Sequence, residues 1–224
     1  KTQIHRVASP VSNPGLFEPE KTMRMTAGLL GLSVDGSWAW KEHSLEEILG
    51  KPPRSATVED LGHLSRRDLL RLFHSAKAPA METLAGEYRA VILPVGVFAP
   101  LASFFTHTFF GPGRWQGKAF KPRGSNQGDG YNLFSSGGSA ANQPLSRTRR
   151  FITGIRPSRF DGRPSFCMDY SPHNRFLIHS MKDEIRQVGP GLFLGLGIMA
   201  AGGGTLNPAP FALFGEPEPW RGPE

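Results

Sequence analysis

The sequence predicts a mainly β protein, a closed antiparallel barrel of about eight strands behind a short helical N-terminal region. Three observations carry that prediction. Glycine and proline, 27 and 20 of 224 residues, are frequent enough to favour turns over long helices. From Leu84 onward, short runs rich in β-branched and aromatic residues follow one another between turn signals, in meander order. Gly191–Met199 is apolar on both faces, with Leu192, Leu194, Leu196 and Ile198 on one side and Phe193, Gly195, Gly197 and Met199 on the other. A strand of that kind is covered on both sides or lines an apolar cavity.

In chain order, residues 1–40 carry no sustained period. Pro10, Pro14 and Pro19 predict an extended arm whose later part, ending in Trp38 and Trp40, exposes apolar groups. Residues 41–80 predict short helices. Ser44 with Glu47 is a capping box, and Thr57 with Asp60 and Ser65 with Asp68 are weaker forms of the same start signal. Leu69, Leu72 and Phe73 form one stripe opposite Arg66, Arg67 and Arg71.

The barrel domain is expected over residues 84–215. Gly86–Leu93 is its first strand, Arg114–Phe120 its second and Tyr131–Phe134 a short third, with a polar, Gly-rich loop over residues 121–130. Residues 135–146 are of low complexity and predict a mobile loop. Arg149–Phe160 and Arg163–Tyr170 flank Asp161–Gly162, a type I′ hairpin signal. Phe176–His179 and Asp183–Val188 are expected to continue the sheet, Gly191–Met199 follows, and Pro210–Phe214 closes it. The Pro-rich tail over residues 216–224 is expected to fray.

Composition narrows the function classes. The formal charge of +7 suits an anionic partner. The basic residues are nevertheless dispersed, and neither Arg147/Arg149/Arg150 nor Arg66/Arg67/Arg71 is interleaved with stacking aromatics, which argues against nucleic acid. A single cysteine, Cys167, rules out a disulfide within the chain and any multi-cysteine zinc site. No apolar run reaches the ~18 residues of a spanning helix. There is no Gly-x-Ser-x-Gly elbow, Walker loop or dinucleotide fingerprint, so no cofactor is expected.

Candidate chemistry concentrates between Asp169 and Arg186. Asp169, His179, Asp183, Glu184 and Arg186 are the candidate catalytic residues. In a strand, Asp183 and Ile185 share one face while Glu184 and Arg186 share the other, so one carboxylate of the pair points inward. A buried carboxylate is pushed towards general-base range. The same charges serve equally well as an ion pair fixing strand register. His173 and His179 have no third ligand at metal spacing. Tyr88, Phe104, Phe105, Trp115, Tyr131 and Phe193 are the candidate ligand-binding aromatics. The wider run Phe98, Phe104, Phe105, Phe109, Phe110 and Trp115 reads either as barrel core or as the mouth of an apolar cavity that touches lipid.

Several short motifs carry a family resemblance: Gly86-Glu-Tyr88, Gly113-Arg-Trp-Gln-Gly-Lys118, Asp169-Tyr-Ser171, Asp183-Glu-Ile-Arg186 and Pro190-Gly-Leu-Phe-Leu-Gly195. On these the chain resembles the calycin or lipocalin-like superfamily, with Tyr88 near the position of that family's first-strand tryptophan. The helical preface and the lack of a secretory disulfide are similar to plastid barrel proteins that handle pigments or lipids. The resemblance implies a barrel that binds a hydrophobic small molecule, such as an isoprenoid pigment, a tetrapyrrole or a fatty-acid derivative. It leaves open whether the barrel also isomerises or rearranges that ligand. It further implies a chloroplast location, reached from a longer precursor that has lost its targeting peptide. The alternative is a non-catalytic subunit or assembly factor of a thylakoid membrane complex, docking through the arm and the Phe-rich segment on an anionic membrane surface or a membrane protein.

Overall fold

The structure is a computed structural model that describes residues 43–93, 110–135 and 144–224. The expectations placed on the arm of residues 1–40, on Phe98, Phe104, Phe105 and Phe109, and on most of the loop 135–146 lie outside the described residues.

Among the described residues, three short α-helices precede the barrel: α1 (Leu45–Leu49), α2 (Val58–His63) and α3 (Arg66–Ser75). Each starts where its cap residue dictates. Ser44 and Glu47 form a reciprocal capping box, as do Thr57 and Asp60, and the Ser65 hydroxyl accepts from the Asp68 amide. The stripe Leu69, Leu72 and Phe73 is buried. No helix among the described residues is long and apolar enough to cross a membrane.

The strands are β1 (Gly86–Ile92), β2 (Arg114–Gly124), β3 (Gln127–Ser135), β4 (Leu145–Pro157), β5 (Pro164–Asp169), β6 (Lys182–Gly189), β7 (Leu192–Ile198) and β8 (Ala209–Glu218). Each pairs antiparallel with its sequence neighbour, and β8 returns to β1, closing an eight-stranded meander barrel. Closure leaves no edge exposed for pairing with another chain.

Alternation along the strands sorts side chains into an interior and an outer wall. The interior holds Tyr88, Trp115, Phe120, Phe134, Phe151, Phe166, Met168, Tyr170, Ile185, Phe193, Phe211 and Leu213, packed edge to face in several pairs. Outside, the helices lay Leu61, Leu69, Leu72 and Phe73 against Leu192, Leu194, Leu196 and Ile198 of β7. The two apolar faces of β7 are therefore both covered, one by helices and one by the barrel core.

Four local expectations are corrected. Phe176–His179 is a single helical turn, α4, not a strand. Its entry residue Phe176 takes a φ of 53°, which interrupts any extended run. The Asp161–Gly162 turn is not a two-residue type I′ hairpin. Pro157 pairs with Pro164, and Ser158 N–H donates to Arg163 O across a longer connection in which only Gly162 has positive φ. Residues 121–130 are mostly strand, since β2 and β3 stay paired out to Gly124 and Gln127. The C-terminal tail is docked rather than frayed. Trp220 packs on Tyr131 with ring centroids 4.5 Å apart, and the Arg221 and Gly222 amides both donate to the Tyr131 hydroxyl.

Candidate functional site

A lysine, an aspartate and an asparagine placed by strand alternation meet a tyrosine inside the aromatic barrel. Lys118 shares the face of Phe120 on β2, and its register partner on β3 is Asn132, which shares the face of Phe134. Asp183 shares the face of Ile185 on β6, and Tyr170 follows the end of β5. The β3–β4 register slips between Gly130 and Asn132, where Arg149 adopts a φ of 54°. The Arg149 carbonyl there accepts from Asn132 Nδ2 at 3.0 Å and so fixes the amide orientation.

Lys118 Nζ donates to Asp183 Oδ2 at 2.7 Å, to the Tyr170 hydroxyl at 2.6 Å and to Asn132 Oδ1 at 2.9 Å. Tyr170 O–H donates to Asp183 Oδ2 at 2.9 Å, and Asn132 Nδ2 donates to Tyr170 at 3.1 Å. Trp115 Nε1 donates to Asn132 Oδ1 at 3.1 Å. Around the ammonium stand the rings of Phe110, Trp115, Phe151, Tyr170 and Phe211, with centroids 5.2 to 5.9 Å from Nζ. A cation enclosed by ring faces is partly repaid for its lost hydration. Burial nevertheless pulls the Lys118 ammonium below the usual lysine range, against the opposing pull of Asp183. Burial, followed by the Asp183 charge, raises the Tyr170 phenol well above its ordinary value.

One atom of this ensemble stands apart. Asp183 Oδ1 is buried and has no hydrogen-bond partner among the described residues. Opposite it lies Gly197 of β7, where a Cβ would stand 3.3 Å from Oδ1. At Gly195, one step along the same face, a Cβ would overlap the Phe211 ring. The space left by Gly195 is thus filled by an aromatic ring, and that left by Gly197 is bordered by the Asp183 carboxylate and by Ala209 of β8. Chemically the ensemble combines an acceptor, a phenol and an ammonium in an apolar surround, enough to orient a polar group on an apolar molecule and to exchange a proton with it.

The other candidates are placed elsewhere. Arg186 is on the outer wall, fully buried under α3, where it grips Asp161 through two bonds of 2.7 and 2.6 Å and donates to the Phe73 and His74 carbonyls. His74 Nδ1 lies 3.1 Å from Asp161 Oδ2, within ion-pair distance but off hydrogen-bond geometry. Burial pushes the Asp161 carboxyl up, but the His74 ring and the Arg186 guanidinium outweigh it and hold the group well below the carboxylate range. Glu184, also outward, accepts the Arg159 amide at 2.8 Å, and burial raises its carboxyl. Asp169 pairs with Lys182 and Ser171. Burial raises it, but the Lys182 bond prevails and brings it to about 2. His179 is exposed on α4, with Nδ1 near the Ser171 and Asn174 carbonyls.

Of the predicted aromatics, Tyr88, Trp115 and Phe193 face the interior. Tyr131 is on the outer wall, donating to Glu87 at 2.6 Å, and Phe104 and Phe105 lie outside the described residues. Arg147 grips the same Glu87, and Arg149 Nε donates to the Phe110 carbonyl, so two of the three clustered arginines have internal partners. Cys167 is partly buried, and burial pushes its thiol up to about 12. No group of three or more metal-ligating side chains occurs among the described residues.

Sequence reasoning missed Lys118 and Asn132 as site residues and left Tyr170 off the site. The signal was parity: Lys118 stands two residues before Phe120, and Asn132 two before Phe134, on strands whose inward faces are otherwise apolar.

Comparison with known proteins finds no matching family model and no matching curated protein. Among solved structures the chain is similar to a protein from Thermomonospora curvata, with 16% identity over 68% of this chain and 88% of that one and a TM-score of 0.46.

Proposed function

We propose that this chain is a calycin-like barrel that takes a hydrophobic small molecule into the aromatic end of its interior and holds the ligand's polar group against Asp183, Lys118 and Tyr170. What carries the reading is the buried polar ensemble itself. Removing a lysine, an aspartate, an asparagine and a phenol from water is costly, and a purely structural barrel is served as well by an apolar layer. The surrounding rings suit ligands of isoprenoid, tetrapyrrole or fatty-acyl type. The test is native mass spectrometry of the purified full chain, together with solvent extraction of whatever copurifies. A bound apolar molecule, reduced in Trp115→Ala and Phe211→Ala, is the expected result. No adduct with any of a panel of such ligands would sink the reading.

A second reading, an assembly subunit of a membrane complex, draws support from α4. Phe176 there is 93% exposed and Leu177 is also exposed. It requires co-sedimentation with membranes that is lost in Phe176→Ser while ligand binding is kept. Equal sedimentation of the two proteins would remove it.

A further inference from the structure

The exposed apolar side chains share one end of the barrel. Asp169 pairs with Lys182, Lys182 with Ile198 and Gly197 with Ala209, so the β5–β6 and β7–β8 connections leave the same rim. The Ala200 amide, which donates to Ser180 Oγ at 3.4 Å, ties the two together. Among the described residues, the large apolar side chains that are exposed are Val91, Phe176, Leu177 and Leu206. Phe176 and Leu177 stand on the first connection and Leu206 on the second. Val91 stands one residue before the end of β1, and the pairing of Ile92 with Phe211 brings β1 out at that rim too. Among the described residues the opposite rim has none.

Phe176 is held outward at a cost. A φ of 53° is an outlier for an aromatic residue, and strain of this kind persists only where the surroundings enforce it. Here they do. Ile178 is buried in the barrel core, and Asn174 Nδ2 donates to the Tyr170 and Arg150 carbonyls at 2.7 Å each. Ser180 Oγ donates to the Leu177 carbonyl at 2.8 Å. A ring that is 93% exposed makes almost no contact within the fold that offsets the strain. The charges beside it have one sign. Neither residues 170–181 nor residues 199–208 contain an aspartate or glutamate. Arg175 precedes the ring, and Arg150 is exposed where its carbonyl holds Asn174. The Arg66 guanidinium reaches the second connection by bonds to Asn207 and Pro208. Asp169 at the rim is neutralised by Lys182, and Asp68 of α3 pairs with Arg71.

We infer that this rim docks the barrel on an anionic lipid leaflet, with Phe176 and Leu177 inserted below the headgroups and Arg150 and Arg175 against the lipid phosphates. An aromatic ring and a leucine flanked by cations match a membrane interface on both counts. A stable protein interface buries about 800 Å² on each side around a packed core. Single side chains projecting from short connections find more contact in a deformable lipid surface. The inference rests on the exposed α4 of the second reading, and names lipid where that reading names a membrane complex. It is independent of whether the barrel encloses a ligand.

The test is flotation of the full chain with protein-free vesicles, made of phosphatidylcholine alone or mixed with phosphatidylglycerol. Binding to the anionic vesicles is expected to exceed binding to the neutral ones by about tenfold or more, as two basic residues near the surface imply. Phe176→Ser should weaken it by about tenfold or more, as loss of a buried ring implies. Arg150→Gln combined with Arg175→Gln should bring anionic binding close to the level on neutral vesicles. Phe176→Gly separates docking from folding, because glycine accepts the positive φ. That variant is expected to melt higher than the unaltered protein and still to lose vesicle binding. Equal binding to the two vesicle types, or full binding by Phe176→Gly, overturns the inference. Binding to native membranes but to neither vesicle overturns it as well, and leaves the assembly reading standing. Binding to neither vesicles nor native membranes overturns both.

Discussion

Lys118 Nζ and Asp183 Oδ2 lie 2.7 Å apart inside the barrel, each residue 2% exposed, on strands that do not neighbour one another. The pair spans the barrel interior and ties β2 to β6 without any backbone bond between them. Breaking one side of such a pair strands an uncompensated charge, whereas replacing both sides with apolar groups of similar volume removes the problem. Lys118→Met is therefore expected to cost about 3–5 kcal/mol. The double variant Lys118→Met with Asp183→Leu should recover most of that loss. Urea denaturation of the two singles and the double closes the cycle, and additive losses would show that the two charges do not stabilise one another.

Little of this pairing was legible in the chain, for reasons that lie in how barrels are built. The fold class was legible because local signals set it: three serine or threonine caps place the helices, and period-two apolar runs place the strands. Asp183 could be nominated by parity with Ile185. Lys118 lies 65 positions away, and nothing local to β2 says that the interior opposite holds a carboxylate. The Asp161–Gly162 dipeptide shows the reverse error. Its local signal was strong, but Asp161 is committed to Arg186 and His74 across the outer wall, and that tertiary bond dictates a longer turn. Phe176–His179 failed similarly, since four apolar-rich residues do not separate a strand from a single helical turn.

On the outer wall, Asp161 joins the β4–β5 connection to β6 and to the C-terminal end of α3. Its folded-state carboxyl is held well below the unfolded value of 3.8. The stabilisation is thus fully present above that value and is lost as pH falls through and below it. Asp161→Asn should cost about 3–5 kcal/mol at neutral pH, as removal of one member of a buried pair does. It should also flatten the acid side of the stability curve. Chemical denaturation between neutral pH and pH ~3 reads both effects, and an unchanged acid slope would mean that the Asp161–Arg186 pair contributes nothing.

Glu184 predicts the opposite sign. Burial raises its folded-state carboxyl above the unfolded value of 4.5, so folding favours the protonated acid. That contribution is complete below the unfolded value and disappears as pH rises through the folded one. At neutral pH the buried charge is a liability. Glu184→Gln keeps an acceptor for the Arg159 amide and removes the charge. It should stabilise the fold at neutral pH by on the order of 1 kcal/mol, with no gain near pH ~4. A destabilised Glu184→Gln at neutral pH would mean that the charge itself is satisfied by Arg186 or by the neighbouring serines.

The two inward glycines of β7 differ in what an added methyl group would meet. At Gly195 a Cβ would overlap the Phe211 ring, whose centroid lies 5.7 Å from that of Trp115 and 5.2 Å from Lys118 Nζ. Gly195→Ala therefore overpacks the core, at a cost of about 1–3 kcal/mol. The displaced ring presses on the aromatic surround of the ammonium. Phe211→Leu on its own leaves a cavity and removes one ring face from Lys118. Combined, the two changes compensate in volume, so the double variant should be more stable than the sum of the single losses requires. Thermal and urea denaturation of all three proteins measures that non-additivity. Gly197→Ala, whose nearest contacts are the Asp183 carboxylate at 3.3 Å and then the backbone and side chain of Ala209 on β8, is expected to be tolerated better than Gly195→Ala. A larger loss at Gly197 than at Gly195 would mean that the Asp183 carboxylate, held by Lys118 and Tyr170, yields less readily than the Phe211 ring.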